Sequence, residues 1–92
     1  MKQPRITVED RGGDDGVHRF AVHHDGREFD VSVSDTLAEE LAPNVALAQL
    51  VRESFVFLLE REPADSILRS FDLAVIERYF PEYRGTMSLR LR

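Results

Sequence analysis

The sequence predicts an α+β fold: a three-stranded antiparallel β-meander followed by a short helix, a long central helix and a C-terminal helical pair. Three observations carry this reading. Two runs rich in β-branched and aromatic residues, Val17 to His24 and Arg27 to Ser34, flank Asp25-Gly26, a dipeptide suited to a two-residue type I′ hairpin. Apolar residues then recur at helical spacing between positions 47 and 58. Finally, Pro43, Pro63 and Pro81 cut the second half into helix-sized pieces.

Ninety-two residues are expected to form a single domain over 1–92, with a meander over 1–34, a helical part over 35–84 and a disordered tail over 85–92. At 42% hydrophobic and 32% charged residues, the composition is that of an ordinary globular protein. There is no Trp, so Phe, Leu, Val and Ile must build the core. The absence of Cys removes disulfides, thiolate zinc sites and thiol nucleophiles together.

The opening Met1-Lys2-Gln3-Pro4-Arg5 lacks the apolar core of a secretory signal. The longest apolar run, Phe55 to Leu59, is far shorter than the roughly 20 residues that span a bilayer. A soluble, cytoplasmic protein without a membrane partner is the expectation. The net charge of -5 is uneven: residues 1–48 carry five basic and ten acidic side chains, residues 49–92 seven of each, together the 12 and 17 of the whole chain. The acidic excess on the sheet half opposes binding to phosphates there.

Taken in order, Arg5-Ile6-Thr7-Val8-Glu9 alternates and suits a short strand with Ile6 and Val8 buried, ended by the turn-forming stretch Arg11 to Gly16. With Asp25-Gly26 as the loop, His24 falls opposite Arg27, Val22 opposite Phe29, Phe20 opposite Val31 and His18 opposite Val33. The other face then carries Arg19/Ser32, Ala21/Asp30 and His23/Glu28, which makes it the wet one. Ser34-Asp35-Thr36 offers helix-capping side chains, and Thr36 with Glu39 matches a capping box, for a short helix that folds Leu37 and Leu41 onto the sheet. Asn44 is placed to cap the central helix, whose stripe runs 47, 50, 51, 54, 55 and 58.

Val45, Ala48, Val56, Phe57 and Leu59 lie outside that stripe, so the central helix must be covered on more than one side. Pro63 to Ser70 reads as a helical turn with Ile67 and Leu68 inward, and Asp72 as the cap of a third helix, Leu73 to Phe80. In the tail, Gly85 is a helix-ending glycine, and Met87-Ser88-Leu89-Arg90-Leu91 alternates as an edge strand would, although a terminal position favours disorder.

From Val51 to Tyr83 the wording, including SFVFLLEREPADSILRSFDLAVIERYFPEY, resembles a group of small bacterial proteins of unknown function. The resemblance implies a free-standing bacterial domain with a strand-rich start and this helical end. It implies no activity, cofactor or catalytic residue. The glycine-rich turn at Gly12 to Gly16 and the tail after Gly85 depart from it.

Motifs that carry chemistry are sparse. His18 and His24 share a strand face but lie about 20 Å apart at roughly 3.3 Å per residue, too far to hold one metal ion. His23 points to the opposite face, where Glu28 makes it part of a solvated surface. Glu9, Asp10, Asp14 and Asp15 lack the alternation of a calcium loop. No serine lies in a nucleophile elbow and no phosphate-binding glycine run occurs. Catalytic, metal and cofactor sites are therefore expected to be absent.

The surplus apolar surface leads instead to a non-enzymatic interaction or regulatory module. It is expected to self-associate as a homodimer through the central and last helices, with Val56, Phe57, Leu59, Tyr79 and Tyr83 at the interface. Another protein is an alternative partner. A DNA-binding regulator or antitoxin-like protein is the alternative class, disfavoured because the third helix offers only Glu77 and Arg78 on its polar side. A small enzyme would need a polar pocket containing His23, Glu28 or Asp30.

Overall fold

Two tight turns of the same kind set the register of the sheet. In the computed structural model, which describes residues 5–91, Asp25 and Gly26 have φ values of 53° and 75°. These left-handed values are what a type I′ turn requires. Strands β2 (Val17–His24) and β3 (Arg27–Ser34) pair across that turn in the expected register, with Val22 opposite Phe29 and Phe20 opposite Val31.

Asp15 and Gly16 repeat the geometry, with φ of 53° and 76°, and join β2 to β1 (Thr7–Asp14). The glycine-rich stretch therefore does not end the first strand, as its turn chemistry suggested. It continues the strand through a bulge, because the three steps from Asp10 to Gly13 face the two from Phe20 to His18. Gly12, at φ 85°, absorbs the extra residue.

A fourth strand, β4 (Ser70–Asp72), lies beside β3 and runs parallel to it. The sheet is thus four-stranded and mixed, in the order β1-β2-β3-β4, where the sequence suggested a meander alone. The link begins at Arg69, whose carbonyl accepts from the Asp30 N–H at 2.7 Å.

Helix α1 (Asp35–Leu41) is capped by Ser34, whose hydroxyl accepts from the Leu37 N–H at 3.1 Å, so Thr36 is already inside the helix and not its cap. Leu37 and Leu41 are buried, as their spacing required. Helix α2 (Leu47–Leu59) begins three residues after Asn44, which sits in the turn behind Pro43. A 3₁₀ turn, Ala64–Ser66, follows Pro63. Helix α3 (Leu73–Tyr79) has Asp72 as its cap, accepting from the Ala74 N–H at 2.9 Å.

Helix α4 (Tyr83–Arg90) corrects the reading of the tail. Gly85 lies inside it, and Tyr83, Met87 and Leu91, four apart, are buried. That spacing, rather than the local alternation of residues 87–91, decides the outcome. Arg92 and the opening Met1–Pro4 lie outside the described residues, and so does the reading made of the latter.

The core fills the space between one face of the sheet and the helices. Phe20, Val22, Phe29, Val31 and Val33 meet Leu50, Val51, Phe55 and Leu58 of α2, and the rings of Phe29 and Phe55 meet at a 58° tilt with centroids 4.8 Å apart. Burying each such side chain contributes roughly 1.5–3 kcal/mol. α2 is covered a second time by α3 and α4: Phe80, just past the end of α3, and Tyr83 of α4 meet Phe57 edge-on at 6.0 and 5.2 Å. The demand of this helix for cover on more than one side is met within the chain.

Candidate functional site

The chain leaves α2 through a tight exit: the Arg61 and Glu62 N–H groups both donate to the Leu58 carbonyl, at 3.0 and 2.9 Å. Pro63 and the 3₁₀ turn then direct the backbone back towards the sheet edge. Ile67 anchors this segment in the core, but the next residue, Leu68, is 57% exposed and does not pack inward as its apolar character suggested. Pairing of β4 with β3 follows, and Asp72 immediately starts α3.

Between that returning segment and α3 lies an open groove of about 420 Å³. Leu58 and Ile67 line it from the core side, Leu68 and Phe71 from the returning segment, and Val75 and Tyr79 from α3. Val75 and Tyr79 are one helical turn apart, so they present a continuous apolar wall. Tyr79 is 70% exposed and stands at the rim.

Glu62 is the one charged residue lining this groove among the described residues. It is half-buried, and no ion pair or side-chain hydrogen bond engages it within the described chain. The neighbouring charges are, in contrast, engaged. Arg61 lies 3.5 Å above the Phe57 ring and donates to Glu82 at 3.0 Å, and Arg90 donates to Glu60 at 2.6 Å. The Arg90 hydrogen bond holds the Glu60 carboxyl below its usual range. Glu82 is held down by its own backbone N–H and then by Arg61.

On α3, Glu77 is fixed by Arg84 at 2.7 Å, which lowers the Glu77 carboxyl and raises the guanidinium, itself also bonded to Glu40 at 2.9 Å. Arg78 is the only basic residue in α3, and it makes no ion pair within the described residues. One free arginine on a seven-residue helix offers little for reading base edges.

The five residues expected at an interface separate into three groups. Phe57 and Tyr83 are 0% and 1% exposed and belong to the core, because α4 closes over them. This is a correction: neither side chain presents a surface in this fold. Val56 and Leu59 are half-buried and pack against the core. Tyr79 alone is prominently exposed, and it stands at the groove. Leu68, overlooked because its apolar character suggested an inward side chain, is its neighbour across the opening.

Polar chemistry is dispersed. His23 lies between Glu9 at 3.4 Å and Glu28 at 3.8 Å on the open face of the sheet. The hollow of about 540 Å³ on the sheet that holds Asp30 is lined also by Arg19 and Ser32, and includes neither His23 nor Glu28. Ser32 donates to Asp72 at 2.7 Å, which ties β3 to the start of α3. Among the described residues no group of three or more His, Cys, Asp or Glu could hold a metal ion, and no helix is long and apolar enough to cross a membrane. Comparison with protein-family models, curated proteins and solved structures returns no match.

Proposed function

We propose that the protein is a non-enzymatic interaction or regulatory module whose contact surface is the groove between the 66–71 segment and α3. A single observation carries this reading: Leu68 and Tyr79, 57% and 70% exposed, flank an apolar groove. Exposed apolar surface gathered in one place costs solubility and marks contact sites, whereas scattered apolar residues do not. The surface has thus moved from the central helix, whose apolar excess the chain covers itself, to the next turn of the chain.

The test is capture on the tagged full-length chain, with Leu68→Asp as the comparison. Leu68 is exposed, so this substitution leaves the fold intact. A specific protein, including untagged copies of the chain, held by the wild type and lost with Leu68→Asp at an unchanged melting temperature is the expected result. Equal retention by both forms overturns the assignment of the surface.

A further inference from the structure

We infer that the occupant of this groove is a second copy of the same chain, docked about a two-fold axis with Tyr79 of each copy in the groove of the other. The inference deepens the reading of the groove as a contact surface and rests on it. A two-fold interface must be self-complementary, so one patch has to carry both a projection and the hollow that receives it. Here both are present side by side: the exposed ring of Tyr79 stands at the rim of an open hollow of about 420 Å³. Tyrosine suits the task, because it brings a large rigid ring whose hydroxyl can stay at the wet edge.

Charge makes the same demand and meets the same answer. Glu62, half-buried on the lining, has no cationic partner within the described chain. Arg78 has no anionic partner, and it lies beside Tyr79, three residues and so about one turn from the groove-lining Val75. An acid and a base left free in one patch cannot both be satisfied by a wholly basic or wholly acidic partner. A second copy satisfies both, because the axis sets Arg78 of each chain against Glu62 of the other. The two pairs are formed together or not at all.

This arrangement has a signature that a merely sticky apolar patch lacks. Glu62→Arg places two arginines across each pair, and Arg78→Glu places two glutamates there, so each variant repels its own kind. Mixed together, the two variants restore both pairs in the heterodimer, one as in the wild type and one with its charges exchanged. Sedimentation equilibrium of the full chain is expected to show a dimer for the wild type. Each single variant should show a roughly tenfold or greater rise in dissociation constant, and the equimolar mixture a return to within about threefold of the wild type. Tyr79→Ala, truncating an exposed side chain, should also dissociate the dimer by roughly tenfold or more, with the melting temperature of the monomer unchanged.

A wild-type chain that remains monomeric at high micromolar concentration overturns the second copy as occupant. The capture experiment with Leu68→Asp still decides separately whether the groove is a contact surface. A wild-type dimer that persists in Tyr79→Ala, or a variant mixture that stays as weak as its components, also overturns this interface.

Discussion

Removing the hydroxyl of Tyr83 tests how α4 is locked onto α2. The Ser54 and Tyr83 hydroxyls lie 2.6 Å apart, with the two residues 0% and 1% exposed. Tyr83→Phe keeps the ring and its edge contact with Phe57 at 5.2 Å, but leaves the Ser54 hydroxyl with only the Met87 sulfur at 3.8 Å, a weak acceptor. An orphaned buried hydroxyl costs about 1–3 kcal/mol, and Ser54→Ala should cost a similar ~1–3 kcal/mol by orphaning the other partner. The double variant removes both polar groups, so its loss should fall short of the sum by about 1–2 kcal/mol. In a domain of this size each kcal/mol shifts the melting temperature by about 4–8 °C. Urea unfolding of the four proteins closes the cycle. Single-variant losses below ~0.3 kcal/mol, or strictly additive ones, would show that the hydroxyl pair is not what holds the helices together.

The same tyrosine predicts an alkaline limit. Burial pushes its hydroxyl up to about 12 from 10.0, so the neutral form is favoured in the folded state. That contribution, about 2–3 kcal/mol from roughly two pH units, is fully present below pH ~10 and is lost as the pH rises towards ~12. Tyr83→Phe should flatten stability over that window, as followed by circular dichroism. Phe57→Ala should cost about 3–5 kcal/mol, because the ring is fully buried between α3 and α4, whereas Tyr79→Ala should change monomer stability by less than ~0.5 kcal/mol. Comparable losses in urea unfolding would contradict the burial of one and the exposure of the other. Two glycines should respond in opposite directions. A Cβ at Gly13 would lie 2.6 Å from the Val17 carbonyl oxygen, so Gly13→Ala should lose about 1–3 kcal/mol. A Cβ at Gly85 meets open space inside α4, so Gly85→Ala should gain about 0.5–1 kcal/mol, and thermal melting separates the two signs.

What could be read before the structure follows the range of the interactions involved. The hairpin was legible to the residue because its turn demands positive φ at two positions and only certain dipeptides supply it. A one-residue slip would also have moved Phe20 and Phe29 out of the core. Asp72 was legible as a cap for a different but equally local reason, a carboxylate acceptor placed just before an apolar helix. The first strand was cut short because glycines near a turn look alike whether they end a strand or bulge it. Only the pairing with β2 distinguishes the two. The tail carried two periods at once, alternation over 87–91 and a four-residue spacing over 83, 87 and 91. Contact with Ser54 and Phe57 of α2 selects the second. At the interface, Phe57 and Tyr83 were misplaced because each is covered by the other, a pairing that local sequence cannot reveal.

The strand that local reading could not find is also the one that makes the groove. Three residues are too few to show a period, and β4 exists because Arg69 and Ser70–Asp72 bond to the edge of β3. That parallel pairing requires the chain to cross from the end of α2 to the far edge of the sheet before α3 begins. The crossing segment is pinned at Ile67 and again at Phe71, which leaves Leu68 on the outside, while the cap at Asp72 directs α3 back along the segment. Two apolar walls thus face one another across a gap that no described element fills. With Ile67 buried in the core, Leu68 next to it stays on the surface, where it is available for contact.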